Sequence, residues 1–120
     1  MIASTVFPTL KAHMPILTSN GATRIWQDYA GDSPVTPYAV WSPIASVPHN
    51  NLDRAPSDTH GVTVDVFSRT QQESDALIRK ARDAMEAIGY VETIQSLGYD
   101  SVTKLWRYTL SAEIQVNRPN

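Results

Sequence analysis

The chain has 120 residues, 42% of them hydrophobic and 18% charged, with a formal net charge of −2 at pH 7. This length fits a single domain with its own core, and scattered Lys and Arg argue against a surface that grips a phosphate backbone. The absence of cysteine excludes disulfides, a thiolate nucleophile and zinc–thiolate sites. We expect no membrane span, because no apolar run reaches roughly 18 residues, and no signal peptide at the first residues.

The N-terminal part of the chain predicts a short helix and then a short strand. Residues 4–15, STVFPTLKAHMP, can begin with Ser4 or Thr5 as the helix cap, and Pro8 is tolerated because it falls in the first turn. The following ATRIWQDY, residues 22–29, suits a short strand between turn signals.

Two predicted strands flank a long polar excursion. Residues 37–44 are rich in Tyr, Val, Trp and Ile, and residues 61–68 alternate between apolar and polar, with one apolar face: Val62, Val64 and Val66. A tight hairpin needs only about 2–5 linking residues, yet residues 46–60 separate the two strands. Pro43 and Pro48 cannot donate ladder hydrogen bonds, so the first strand should end at an edge or a bulge. We therefore expect an exposed, functional loop at 46–60.

The best-defined element is a helix over residues 71–88. Thr70 can accept a hydrogen bond as the N-cap and Glu73 can reach back to its backbone N–H, as in a capping box. Gly89 stands where a helix often ends with a positive φ. Helical spacing also predicts one apolar stripe: Ala76 or Leu77, Ala81, Ala84 or Met85, and Ile88. It predicts two ion pairs on the solvated side: Asp75–Arg79 and Arg82–Glu86.

The last part of the chain predicts a strand, a turn and a long strand. YVETIQ at 90–95 precedes a turn signal at 98–101, and KLWRYTLSAEIQV at 104–116 alternates over about twelve residues. The order of helices and strands predicts an α+β fold. We expect an antiparallel sheet of four to five strands with helices packed on one face, in a single domain over residues 1–120.

No catalytic constellation is found among these elements. His49, Asp53, Asp58 and His60 could bind a divalent metal, but their spacing matches no metal motif and a solvated loop is the favoured interpretation. Asp65 in a strand indicates a solvated face or a subunit interface rather than a general base, since no partner is spaced to serve it. The sequence lacks nucleotide-binding fingerprints. Three tryptophans favour core or interface anchors over a stacking platform for bases: Trp26, Trp41 and Trp106.

Three stretches carry a resemblance to a known family: TPYAVWSPIASVP at 36–48, HGVTVDVFSRTQQESDALIRKARDAM at 60–85 and LWRYTLSAEIQV at 105–116. The sequence resembles the tail-completion, or tail-terminator, proteins of long-tailed (siphovirus-like) bacteriophages over roughly residues 5–116. The shared features are patterns of residue type rather than catalytic signatures. The stretch YVETIQSLGYDSVTK at 90–104 departs from the family pattern.

The resemblance implies a structural protein, not an enzyme, without cofactor or metal. It implies a homo-oligomeric ring, generally of six copies, that ends polymerisation of the phage tail tube and offers a joining surface to the head–tail connector. The partners would be the tube protein and the connector protein, while DNA passes through the lumen without specific binding. The location would be the tail of the virion, and the host cytoplasm during assembly.

The expected inter-subunit site is the loop at 46–60, because ring neighbours need protruding, complementary surfaces. Its residues are Pro48, His49, Asn50, Asn51, Leu52, Asp53, Arg54, Asp58 and His60. The alternative is a small α+β ligand-binding or regulatory domain, which would instead show an enclosed pocket with converging polar groups.

Overall fold

A computed structural model of the chain describes residues 3–21, 23–30, 35–44 and 57–117. Its elements in chain order are α1 (Ala3–His13), a 3₁₀ helix (Pro15–Gly21), β1 (Ile25–Gln27), β2 (Tyr38–Ile44), β3 (Ser57–Ser68), α2 (Gln71–Ile88), β4 (Gly89–Asp100) and β5 (Leu105–Asn117). Among these residues, neither α-helix has the length and apolar character needed to cross a membrane.

The five strands form one sheet in the order β1-β2-β3-β5-β4. The pairs β2–β3, β3–β5 and β5–β4 are antiparallel, whereas β1 runs parallel to β2. The α+β prediction is confirmed, with β1 making the mostly antiparallel sheet a mixed one. A parallel neighbour needs a crossover between the two strands, and residues 28–37 connect β1 to β2.

One face of the sheet packs against the helices and forms the core. In β3 the three valines of the predicted apolar face are fully buried, and their neighbours across the sheet, including Trp41 in β2 and Leu110 in β5, are buried with them. α1 contributes Val6 and Leu10 to the same cluster. α2 contributes Leu77, Ile78, Ala81, Ala84 and Met85, which confirms the predicted stripe with Leu77 rather than Ala76 and adds Ile78 to it.

The start of α2 confirms the predicted N-cap and changes the capping box. The backbone N–H of Glu73 donates to Thr70 Oγ1 at 3.1 Å. In a capping box the Glu73 side chain would accept directly from Thr70 N–H, but here Ser68 lies between them. Thr70 N–H donates to Ser68 Oγ at 3.2 Å, and Ser68 Oγ donates to Glu73 Oε1 at 2.5 Å. Ser68 is fully buried, so the end of β3 and the start of α2 are fixed to each other.

The predicted positive φ at Gly89 is wrong. Gly89 has φ −179° and is the first residue of β4, so the chain passes from helix to strand without a linking turn. A Cβ at this position would meet the carbonyl oxygen of Glu113 and lie 2.6 Å from Ile114 Cα in β5. Glycine is required here by the close approach of two backbones rather than by a left-handed conformation.

The turn predicted at 98–101 lies farther along the chain. β4 continues to Asp100, and the turn is formed by residues 101–104. Gly98 does have a positive φ, 78°, but it lies at a register irregularity after Ser96, where the strand bulges. In the turn, Asp100 Oδ1 accepts a hydrogen bond from Val102 N–H at 2.8 Å, a common way for aspartate to fix a turn.

Candidate assembly surfaces

The predicted loop at 46–60 is shorter at its far end than the sequence indicates. β3 begins at Ser57, so Asp58 and His60 are strand residues whose backbones pair with Val116 and Ile114. The sequence did not indicate this start, because Gly61 resembles the first residue of a strand. The partner strand β5 is long enough to pair with the residues that precede Gly61. The other members of the predicted site lie outside the described residues: Pro48, His49, Asn50, Asn51, Leu52, Asp53 and Arg54.

The hairpin of β4 and β5 exposes apolar side chains. β4 is the last strand of the sheet and is hydrogen-bonded to β5 alone within the part of the chain that the structure describes. We call its exposed apolar residues the hairpin end: Tyr90 (53% exposed), Ile94 (41%), Leu97 (45%), Tyr99 (51%) and Val102 (87%). Val102 lies in the turn, and Tyr99 contacts the half-buried Trp106 with ring centroids 5.4 Å apart.

A second group of exposed apolar side chains lies at the opposite end of the sheet. We call it the β1 end: Ile16 (50% exposed), Trp26 (39%), Tyr29 (66%) and Val35 (68%). Arg24 connects the segments that carry these residues. Its backbone N–H donates to Leu17 O at 2.7 Å, and its guanidinium donates to Ile16 O at 2.7 Å and to Thr36 O at 3.3 Å.

The sheet face away from the helices carries one compact polar and aromatic cluster. Arg107 Nη2 lies 2.8 Å from Asp65 Oδ2, and its guanidinium lies 5.3 Å above the Phe67 ring. Phe67 in turn stacks on Tyr38, with centroids 4.7 Å apart. Burial raises the pKa of Tyr38, and the positive charge of Arg107 opposes that rise. Asp65, the acidic residue that is unusual inside a strand, therefore forms an ion pair that links β3 to β5.

At the hairpin end, a hydrogen bond joins β4 to β5 on the sheet face away from the helices. The Tyr90 hydroxyl donates to Glu113 Oε2 at 2.7 Å. This bond raises the pKa of Tyr90, with smaller contributions from desolvation and from the charges of Glu113 and Glu92. The exposed phenol is thus held against the strand rather than free in solution.

The remaining candidates for chemistry fall into structural roles. Trp41 is buried in the core, Trp106 is half-buried, and Trp26 belongs to the β1 end. His13 Nδ1 lies 2.9 Å from Thr9 O on its own helix. Within the described residues, no group of three or more His, Cys, Asp or Glu could hold a metal ion.

The sequence profile of a family described as "Tail completion protein gp17" matches residues 4–112. The chain belongs to this tail-completion family. The match includes both helices and nearly all of the sheet, so the resemblance drawn from the sequence is confirmed. It identifies a structural protein of the phage tail and a component of the virion. No significant match is found among the curated proteins.

Solved structures share the fold of this tail-completion protein. One is a chain from "Virion of native gene transfer agent (GTA) particle", with a TM-score of 0.66 at 14% identity, covering 98% of this chain and 95% of that one. A second chain, named only by a sequence identifier, has a TM-score of 0.56 at 11% identity, covering 99% and 92%. At these identities the likeness establishes the fold, which is the same nearly end to end.

Sequence reasoning missed the hairpin end of this tail-completion protein. Two bulges, between Val91 and Thr93 and between Ser96 and Gly98, break the alternation of β4. Because each bulge moves the following side chains to the other face, YVETIQSLGYD does not read as one strand. The sequence feature that could have indicated a strand here was the content of Tyr, Ile and Leu in this segment, which is unusual for a polar connection.

Proposed function

We propose that this protein forms a closed ring of six copies at the head-proximal end of the tail tube. There the ring ends tube polymerisation and provides the surface to which the head connector binds. Its partners are its own copies, the tube protein and the connector protein, and DNA passes through the lumen without specific binding. Assembly takes place in the host cytoplasm. The observation that carries the proposal is the family match over residues 4–112.

The exposed surface of the monomer supports an assembly role. Soluble monomers rarely keep large contiguous apolar patches in water, and long free strand edges tend to pair with other chains. Among the described residues, β4 is a twelve-residue strand at the end of the sheet, and four large apolar residues along it are exposed. These features favour a protein that is completed by neighbours.

The loop expected from the sequence remains part of this proposal. Residues 45–56 connect β2 to β3, and Asp58 and His60 of the predicted loop lie in β3. We propose that this connection contacts a neighbouring subunit as an arm. Its length and polarity support that role, because long connections in compact domains are usually functional or disordered.

The mass of the protein in solution, with and without its tube protein, tests the ring. We expect six copies in at least one of the two conditions. Electron microscopy should also show that tubes assembled from purified tube protein stop lengthening when this protein is added. A protein that stays monomeric in both conditions and leaves tube length unchanged would contradict the proposal, and would fit the ligand-binding alternative instead.

A further inference from the structure

The exposed apolar side chains are not spread evenly over the surface. Ten large apolar residues are exposed in the described residues, and nine of them belong to the hairpin end or the β1 end. The two ends lie at opposite edges of one sheet, since β1 and β4 are its first and last strands. A ring needs two different surfaces on opposite sides of each subunit, because every copy uses one surface on each neighbour.

The two edges also differ in hydrogen-bonding capacity. Within the described part of the chain, β4 presents twelve residues along an edge that no other strand pairs with, while β1 presents only three. Natural edge strands are commonly protected by proline or by strong charge. β4 contains no proline and only two charged residues, Glu92 and Asp100. Its edge is therefore open to a partner over most of its length, apart from the two bulges.

The charged residues differ between the two ends. β4 carries two charged residues, Glu92 and Asp100, and both are acidic, while the basic residues Lys104 and Arg107 follow in the turn and in β5. Near β1, Arg24 and Arg69 both bind Thr36, at 3.3 Å in each case, and Asp28 is the acidic residue of the neighbouring described segment. Opposite charges across an interface set orientation and speed association. The acidic side chains of two hairpin ends would thus repel each other, which disfavours a symmetric contact between them.

We propose that the hairpin end of one copy binds the β1 end of the next copy, head to tail around the ring. The proposal rests on the ring proposed above and specifies its main subunit contact. The apolar residues of the two ends pack together, the acidic residues of β4 face the arginines near β1, and the outer edge of β4 lies along the neighbour. The occupant of each surface is a second copy of this chain, not the tube protein.

Two substitutions test the contact, each of which blocks one end. The two variant proteins are measured separately and as a mixture. Leu97→Asp buries an unpaired charge at the hairpin end and leaves the β1 end intact, whereas Trp26→Asp does the reverse. Under the condition in which the wild type forms rings, we expect each variant alone to be monomeric by light scattering, with the contact weakened roughly 30-fold or more. An equimolar mixture should give a 1:1 dimer and no ring, because one intact hairpin end meets one intact β1 end.

Matched controls separate loss of contact from loss of folding. Ala76→Asp adds the same charge on the exposed side of α2 and should form rings like the wild type. Val102→Asp and Ile16→Asp alter exposed residues of the same two ends, and should reproduce the mixing result if either first variant unfolds. Circular dichroism and thermal unfolding identify the folded variants.

Each outcome decides between the two proposals. Rings formed by both folded single variants would overturn the head-to-tail contact and leave the proposed function standing. Dimers formed by Trp26→Asp alone would indicate a symmetric contact of hairpin ends and would also overturn it. Normal rings that fail to stop tube growth only in Leu97→Asp would assign the hairpin end to the tube protein. A wild type that never forms a ring would contradict both proposals.

Discussion

Single residues in this protein fix how neighbouring elements approach each other. Gly89 allows β4 to begin against β5 immediately after α2, and Gly98 allows the bulge with a φ of 78°. The two glycines serve different physical needs. A side chain at Gly89 would meet backbone atoms, whereas a Cβ at Gly98 would have open space and only an unfavourable backbone conformation.

Alanine at these two positions should therefore have unequal effects. We expect Gly89→Ala to lower the free energy of unfolding by about 3 kcal/mol or more, because the backbone of Glu113 and Ile114 must move. Gly98→Ala should cost only about 1–2 kcal/mol, from the positive φ. Urea denaturation of both variants measures the difference, and equal losses would mean that β4 can shift away from β5.

The pKa of Tyr38 predicts a pH dependence of stability. In the unfolded chain a tyrosine loses its proton near pH 10, and burial raises the folded-state pKa above that value. The folded state then holds a proton that the unfolded state has lost. The contribution of Tyr38 is complete below about pH 10 and declines as the pH rises further.

The variant Tyr38→Phe isolates this contribution from that of other groups. Between about pH 8 and about pH 11 the free energy of unfolding should fall less in the variant than in the wild type. Urea denaturation at several pH values provides the comparison. Identical curves would show that the Tyr38 hydroxyl is hydrated in the folded protein as it is in the unfolded chain.

At the scale of elements, α2 holds the sheet to the rest of the core. Its buried side packs on β3, β4, β5 and α1, while its exposed side carries the predicted ion pairs Asp75–Arg79 at 3.0 Å and Arg82–Glu86 at 3.9 Å. Exposed pairs of this kind contribute little. The stability of the helix in the protein therefore comes from its apolar stripe and from its cap.

The apolar stripe is tested at its leucine. Leu77 is 3% exposed, so Leu77→Ala should cost about 2–5 kcal/mol through lost burial and the cavity left behind. Lys80→Ala, on the exposed side of the same helix, should change stability by no more than about 0.5 kcal/mol. A Leu77→Ala loss as small as that of the control would mean that the helix does not cover the sheet.

The cap of α2 is tested by Thr70→Ala. Removal of the Oγ1 that accepts the Glu73 N–H should cost about 1 kcal/mol. Thr70→Ser retains the acceptor and should recover most of this loss. If both variants unfold at the same urea concentration as the wild type, Ser68 and solvent can accept the hydrogen bonds of the first-turn N–H groups without the threonine.

At the scale of the whole molecule, the subunit is built to be one part of an assembly. Its core joins all the described helices to the sheet, while its two sheet ends remain apolar and exposed. The apolar side chains named at the two ends are at least 39% exposed, so they contribute less to the core than the buried residues do. Variants at these ends should thus separate assembly from folding, which core variants cannot do.

The proposed arm permits a deletion test at this scale. Replacement of residues 46–56 by a six-residue Gly/Ser linker keeps β3 from Ser57 onward. The monomer should stay folded, because the free energy of loop closure changes slowly with length. We expect weaker rings and tails that are overlong or unjoined to heads. A full-length Gly/Ser replacement serves as the control for sequence rather than length, and normal tail completion by both would show that the connection is not an arm.

The sequence by itself determined the parts whose signals are local. The capping residues and 3.6-residue spacing of 71–88 predicted α2 with its observed bounds, and strict alternation predicted the buried faces of β3 and β5. The fold class followed from the order of these elements. Local geometry governs caps and amphipathic faces, so one segment carries enough information to predict them.

Only the tertiary structure decided which strands lie at the ends of the sheet and how far each extends. The start of β3 at Ser57 depends on the length of β5, the role of Gly89 depends on the backbone of β5, and the bulges of β4 depend on its register with β5. These features are set by a partner distant in sequence, and a propensity or a period contains no information about that partner. The same reason explains why the exposed hairpin end, the surface now proposed for assembly, was not predicted from the sequence.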